Sequence, residues 1–284
     1  MVHEYLTPAV IQNFIVAALQ EDIGSGDHST LSSIPENAKG RAKLLVKANG
    51  ILAGAELAAA IFKHFDPELH ITSLVEDGDA IKYGDIAFTV EGNSRSILST
   101  ERLVLNTMQR MSGIATYTRH LVEQIEGTGA RLLDTRKTTP GFRFAEKWAV
   151  KIGGGTNHRF GLSDMVMLKD NHVDFAGGVA EAVSAAKKYL ADKKLNLQIE
   201  VETRNLNEVA QALAAKPDRI MLDNMKPEMM REAVAIINGA CETEASGGIT
   251  EKNIREAALT GVTYISVGAL THSARSLDLS LKAY

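Results

Sequence analysis

The sequence predicts an α/β barrel in its second half and a smaller α+β domain in its first. Three observations predict this. From residue 130 onward short apolar runs recur, each closing on a polar residue or a glycine: Asp134 closes RLLD, Lys169 closes MVMLK, Glu202 closes LQIEVE, Asp223 closes RIMLD, Ser246 follows ETEA and Gly268 follows YISV. Stretches of helical periodicity, such as NLNEVAQALAAK and PEMMREAVAIIN, lie between the later runs, and a run, a helix and a further run, repeated, is how a parallel sheet is written. Residues 40–95 differ in texture: RAKLLVKA, HITSLVE and AIKYGDIAFTVEG alternate between Gly and Asp turns, the pattern of antiparallel strands.

Taken in order, residues 4–20 read as an amphipathic helix and EDIGSGDHST as a turn-rich loop. LAGAELAAAIFKHF reads as a helix interrupting the antiparallel segments. Residues 1–110 form the first domain in this reading, its sheet covered by helices on at least one face. Residues 99–126 carry apolar side chains at spacings of three and four, which predicts a long connecting helix. Ser99 or Thr100 is the expected N-cap, and Gly127 and Gly129 the expected stop. The barrel occupies 111–269, with room for six or seven parallel strands. THSARSLDLSLKAY alternates again, and 270–284 are expected to return to the first domain's sheet. AKKYLADKK reads as the solvated end of a helix.

Composition bounds the function. With 31 basic and 35 acidic residues the formal charge is −4, so the surface as a whole offers nucleic acid or an anionic membrane no general attraction. The single cysteine, Cys241, excludes an internal disulfide and a cysteine-built metal site, and reads as a packing residue at a strand start. MVHEYLTPAVIQNF lacks the basic-then-apolar order of a signal peptide. ILAGAELAAAIF is too short to span a bilayer and contains Glu56. A cytoplasmic enzyme is the expectation.

The chemistry concentrates between 133 and 172, where Arg136, Lys137, Arg143, Lys147, Lys151, Arg159 and Lys169 stand against Asp134, Glu146, Asp164 and Asp170. An anionic chain thus keeps a local cationic excess beside predicted strand ends. Lys147 and Lys151 are read as solvent-facing helix positions. Arg136 and Lys137 follow a strand end directly, and Pro140-Gly141 then turns the chain; His158 and Arg159 follow Gly153, Gly154 and Gly155, a run that brings backbone close to a ligand. Guanidinium groups fork onto carboxylates or phosphates and lysine adds a movable point charge, so the ligand implied is a small, multiply charged anion, or two ligands side by side.

Glu202 and Asp223, at neighbouring predicted strand ends, are suited to accepting sugar hydroxyls, to holding Mg²⁺ through water, to acid and base work, or to pairing with a lysine such as Lys169. Ser246, Gly247 and Gly248 lie between a predicted strand and a helix, an arrangement in which bare N–H groups and a helix start take a phosphate. Gly268 and His272, in SVGALTHS, repeat that plan on the next strand.

These residues resemble the quinolinate phosphoribosyltransferase family, also called nicotinate-nucleotide pyrophosphorylase (carboxylating). The likeness runs along nearly the whole chain, through EDIGSGDHST, ANGILAG, TERLVLNTMQRMSGIAT, DTRKTTPGFR, EKWAVKIGGGTNHR, MLKDNH, IEVE, IMLDNM, EASGGI and ISVGALTHS. His28 departs from it, standing where the family pattern has a less polar residue. The resemblance implies an incomplete α/β barrel joined to an amino-terminal open-faced α+β sandwich. It also implies a homodimer, alone or within a larger assembly such as a hexamer, in which Arg102 reaches into the partner's site. Arg136, Lys137, His158, Arg159 and Lys169 would form the quinolinate pocket, with Lys137 and Lys169 also offsetting charge during catalysis. Glu202 and Asp223 would serve the ribose hydroxyls and Mg²⁺, and Ser246, Gly247, Gly248, Gly268 and His272 the 5′-phosphate of phosphoribosyl pyrophosphate. No nucleic acid or membrane partner is expected.

The implied reaction transfers phosphoribosyl to quinolinate with decarboxylation, as in NAD biosynthesis. The nearest alternative is a paralogous phosphoribosyltransferase of the molybdenum-transport-associated type with another acceptor. A Schiff-base aldolase using Lys169 and a phosphate-sensing protein without turnover are the rivals from other classes.

Overall fold

The computed structural model describes residues 5–284. Two compact units divide the chain. The first comprises residues up to Arg119 together with Thr138–Gly154 and Leu270–Tyr284, and the second comprises His120–Lys137 and Gly155–Ala269.

The first unit opens with helix α1 (Pro8–Ile23), whose N-cap Thr7 accepts the Val10 amide. Proline at the first helical position sets the start there, later than the expected residue 4, which lies outside the described residues. Helix α2 (His28–Ser33) follows, capped by Asp27, then strand β1 (Lys39–Val46), strand β2 (Gly50–Ile51) and helix α3 (Ala55–Phe65). Strands β3 (His70–Ser73), β4 (Ala80–Ile81) and β5 (Ile86–Asn93) lead to helix α4 (Ser94–Gln124). Alternation along β1 buries Leu44 and Val46, and α3 covers that face with Leu57, Ile61 and Phe62. Phe62 meets Phe88 of β5 edge to face at 6.0 Å.

Helix α4 begins five residues before the expected cap. Asn93 Oδ1 takes the amides of Arg95 and Ser96 and so starts the helix. Ser99 and Thr100 lie inside it, and the Thr100 hydroxyl donates back to the carbonyls of Ser96 and Ile97. The units part at Arg119 rather than at 110, because this helix runs unbroken past that point.

Strand β6 (Arg131–Leu133) and helix α5 (Arg143–Ile152) come next. Helix α5 belongs to the first unit and buries Phe144, Ala145, Glu146, Lys147, Ala149 and Val150. Lys147 is therefore not the solvent-facing lysine that the sequence suggested; the helix is covered over most of its girth, whereas Lys151 is half-buried.

In the second unit the chain alternates: β7 (Val166–Leu168), α6 (Asp170–Ala176), α7 (Val179–Lys193), β8 (Ile199–Thr203), α8 (Leu206–Ala215), β9 (Arg219–Asp223), α9 (Pro227–Ile237), β10 (Glu242–Ser246), α10 (Ile254–Ala258) and β11 (Tyr264–Ser266). The sheet has six strands in the order β6-β11-β10-β9-β8-β7. The ladders β7–β8, β8–β9, β9–β10, β10–β11 and β11–β6 are all parallel. Its edges β6 and β7 are not neighbours in that order, so the barrel is incomplete. Strand β8 is buried at every residue, as expected of a parallel strand with both faces covered.

After α11 (Ala269–His272), strand β12 (Leu279–Ala283) pairs antiparallel with β1, with Leu44 opposite Leu281, and completes a sheet of order β12-β1-β5-β3 in the first unit. Strands β2 and β4 form a separate pair. Among the described residues, no helix is long and apolar enough to cross a membrane.

Gly113, in the middle of α4, is where the carboxyl-terminal segment comes closest: a Cβ there would collide with the carbonyl of Arg275. Gly to Ala in an ordinary helix stabilises by about 0.5–1 kcal/mol. Gly113→Ala is expected to do the reverse, costing about 1–3 kcal/mol or more through overpacking. Thermal unfolding reads the sign, and a raised melting temperature would contradict this close approach.

Candidate active site

The carboxyl ends of the six parallel strands surround a pocket of about 660 Å³, the face on which barrels carry their chemistry. Arg136, Lys137, His158, Arg159, Lys169, Glu202, Asp223, Ser246, Gly247 and Gly248 all line it. These are ten of the thirteen site residues that the sequence nominated. Arg102, exposed on α4, and His272, exposed on α11, belong to the first unit and are not part of this lining. Gly268 follows β11 in the second unit but does not line the pocket either.

Local chemistry explains how the cations are aimed. Asp134, fully buried just past β6, accepts the Asn157 amide at 2.6 Å and the His158 backbone N–H at 2.8 Å. It ties the end of β6 to the segment carrying His158 and Arg159. Thr135 Oγ1 accepts the Lys137 amide and bends the chain at Arg136. Asp164 takes the amides of Phe160 and Gly161 at 2.5 and 2.7 Å, folding the loop that follows Arg159. Burial lowers the affinity of Arg159 for its proton, and the neighbouring Arg136 charge lowers it further. Glu200 and Asp164 act the other way, and two neighbouring guanidinium groups in a half-buried site favour a bound anion.

The other side of the pocket is acidic. Glu202, on β8, lies 3.6 Å from Lys169 Nζ. Burial raises its pKa, and repulsion from Asp223 adds to the rise, while Lys169 pulls the other way. The pair with Lys169 is thus real, and it leaves the two acids still repelling each other.

Ser246, Gly247 and Gly248 close β10, both glycines holding positive φ, +85° and +62°. The expected helix start does not follow directly. A turn in which Asn253 Oδ1 accepts the Thr250 amide intervenes, and α10 is only five residues long. The two glycines offer bare backbone, without help from a helix end.

His158 sits deeper than a ligand-facing cation would. It is buried, with Nε2 3.0 Å from Glu200 and 3.3 Å from Glu244, both fully buried. Arg219 joins them at 3.6 Å from Glu200 and 3.2 Å from Glu244, and its guanidinium stacks 4.2 Å from the Tyr264 ring centroid. Burial alone would pull the His158 pKa down; hydrogen bonds and charge attraction from Glu200 and Glu244 outweigh it and push the value up to about 9. The Arg159 amide, 2.7 Å from Nδ1, favours a lone pair there and opposes this, but two carboxylates at contact distance dominate. Burial also raises the Glu200 pKa, with repulsion from Glu244 adding to it.

Most of the residues missed from the sequence follow one rule, from which those beyond the strand ends, such as Asp170 after β7 and Asn224 after β9, depart. Met167, Met221, Glu244 and Ser266 line the pocket, and each stands two residues before a nominated position: Lys169, Asp223, Ser246 and Gly268. Glu200 stands likewise before Glu202. Side chains two apart share one face of a strand, so stepping back by two from each strand end would have found the layer beneath the mouth.

A raised histidine pKa has a defined sign. Stability from protonated His158 is fully present below its unfolded value, about 6.5, and is lost as pH rises through about 9. Nitrogen-15 NMR of the imidazole is expected to show titration well above 6.5, and Glu200→Gln to lower it. A titration at or below 6.5 in the unaltered protein would contradict the buried quartet.

Residues 27–112 match the quinolinate phosphoribosyl transferase N-terminal domain and residues 114–282 its C-terminal domain. A chloroplastic nicotinate-nucleotide pyrophosphorylase [carboxylating] of Oryza sativa subsp. japonica is 48% identical over 281 residues, covering 93% of this chain and 75% of the relative. A probable nicotinate-nucleotide pyrophosphorylase [carboxylating] of Bacillus subtilis is 42% identical over 261 residues, covering 92% and 89%. Among solved structures, NadC from Streptococcus pyogenes superimposes with a TM-score of 0.93 at 40% identity, covering 98% of this chain and 97% of that one. With both domains of the family matched along the chain and the relatives covered to three quarters or more, the chain belongs to the quinolinate phosphoribosyltransferase family.

Proposed function

We propose that this chain transfers the phosphoribosyl group of phosphoribosyl pyrophosphate to quinolinate, releasing pyrophosphate and carbon dioxide and forming nicotinate mononucleotide. The observation that carries the proposal is that one pocket is lined both by a cationic set, Arg136, Lys137, Arg159 and Lys169, and by an acidic set, Glu202 and Asp223, which meet at the Lys169–Glu202 pair. An aromatic diacid suits the first set and a sugar the second. The Schiff-base and phosphate-sensing readings each leave one set without a role. Family membership favours quinolinate over the other acceptor.

Arg136, Arg159 and Lys169 hold the two carboxylates and set the ring nitrogen toward the anomeric carbon of the ribose. The nitrogen lone pair forms the new C–N bond as the bond to pyrophosphate breaks through an oxocarbenium-like state. Lys137 offsets the charge that builds on the leaving group, with Lys169 in support, and Glu202 and Asp223 accept the ribose hydroxyls; catalysis is positioning and electrostatics. Ser246, Gly247 and Gly248 take the 5′-phosphate, with Gly268 and His272 proposed to complete it. The ring nitrogen is then quaternary. The electrons of the C2–carboxylate bond remain at C2 beside that positive charge as carbon dioxide leaves, and a solvent proton replaces it.

Mg²⁺ fits the acidic set. Burial and the neighbouring Asp223 charge raise the proton affinity of Glu202, a site that favours a cation beside it, and one or two carboxylates with waters suit this ion. When bound, the metal neutralises pyrophosphate charge. The proposal also includes a homodimer in which Arg102, exposed on α4, reaches the partner's pocket, and a cytoplasmic setting. Named plant relatives are chloroplastic or mitochondrial, so subcellular fractionation decides the compartment.

Assay of carbon dioxide and pyrophosphate from the two substrates tests the activity. Nicotinate, which lacks the 2-carboxylate, is expected to be turned over at least about a hundredfold less efficiently, because it leaves half-buried cations without their carboxylate; comparable turnover of the two acids would defeat the pocket assignment. Arg102→Ala is expected to fold and be inactive, and mixing it with inactive Lys137→Ala chains to restore part of the activity through hybrid dimers. Failure of rescue, with subunit exchange verified, would argue against a shared site.

A further inference from the structure

Asn224 carries no role in the reading above, yet four observations converge on it. It follows the last residue of β9 and takes a left-handed backbone, φ +52°. Asparagine adopts this conformation more readily than most residues. Its amide donates to the Ser246 carbonyl at 2.9 Å, extending by one residue the ladder in which Asp223 pairs with Ser246. Its side-chain Nδ2 donates to Asp223 Oδ2 at 2.7 Å; a carboxylate only accepts, so the NH₂ end must face it. The remainder of the side-chain amide lies against Gly247, where any Cβ would collide with Asn224 Oδ1, Cγ and Nδ2.

We propose that Asn224 is a positioning residue that braces the Asp223 carboxylate against the Gly247–Gly248 turn. The inference rests on the proposed ribose and phosphate roles of those groups and deepens them. A ribose 5-phosphate presents hydroxyls at one end and a phosphate at the other. The site that takes it needs an acid and a strip of bare backbone at a fixed separation, on neighbouring strands. One donor bond holds the carboxylate in a single orientation and leaves its second oxygen for a hydroxyl or a metal-bound water. The same side chain fills the space that a side chain at position 247 would take. Glycine at 247 is therefore needed twice, for its φ of +85° and for the Asn224 side-chain amide.

Two variants separate brace from backbone. Asn224→Gly keeps the left-handed conformation and removes the side chain; Asn224→Asp keeps the shape and replaces the donor with a second negative charge. Calorimetric titration with ribose 5-phosphate and, separately, with quinolinate reads the effect on each set of pocket residues, and thermal unfolding reads the fold. Both variants are expected to weaken ribose 5-phosphate about tenfold or more, the loss of one hydrogen bond to a charged group. Quinolinate affinity is expected to stay within about twofold, since its cations lie on other strand ends. Parallel kinetics should show a raised KM for phosphoribosyl pyrophosphate. Undiminished ribose 5-phosphate binding by Asn224→Gly, an equal loss for both ligands, or no binding by the unaltered protein would overturn the proposal. If ribose 5-phosphate binding depends on Asn224 while the unaltered protein releases no pyrophosphate with quinolinate, the brace stands and the proposed activity falls.

Discussion

The gathering of cations at one mouth, Arg136 and Arg159 foremost, is the constraint around which the pocket is built. Burial and the neighbouring Arg136 charge both weaken the hold of Arg159 on its proton, Glu200 and Asp164 oppose them, and a bound anion would relieve the remainder. The surrounding structure works to keep them there. Asp134 spends its carboxylate on the Asn157 side chain and the His158 backbone, and Asp164 spends its own on the loop amides of Phe160 and Gly161. Both acids shape the backbone that presents the cations. In a chain of net charge −4, this local excess of cations marks the pocket as a place for an anion.

Below the mouth lies a layer that an apolar barrel would fill with Leu, Ile or Val. Here His158, Glu200, Glu244 and Arg219 take the space as an ion-paired group of two carboxylates and two cations. Burying such a group is expensive and returns little net stability, which points to a positional use. His158 lies beside Arg159 in the chain, and Glu244 stands two residues before Ser246 and the Gly247–Gly248 turn. The quartet thus links the segments that carry the cations and the glycine turn through the barrel interior.

Much of this was legible in the sequence because the pocket is lined from the ends of parallel strands. Asp134, Lys169, Glu202, Asp223, Ser246 and Gly268 were found simply as the residues that close apolar runs, and each lies at or just beyond a strand end. What escaped was whatever depended on facing rather than order. Glu200 and Glu244 sit inside strands rather than at their ends; only strand periodicity shows that they point the same way as Glu202 and Ser246. Lys147 looked solvated because charge was read without helix packing. The start of α4 was misplaced because Asn93, at the end of a strand, caps it across the strand-to-helix junction. The contribution of α10 to a phosphate site was overstated because Thr250 and Asn253 form their own turn first.

The central claim is that the strand-end cations grip an aromatic diacid. Diffraction from crystals soaked with pyridine-2,3-dicarboxylate tests it most directly. The account predicts the ring in the pocket of the second unit, its carboxylates on Arg136, Arg159 and Lys169. Density for the compound elsewhere, with those three side chains turned to bulk water, would contradict it.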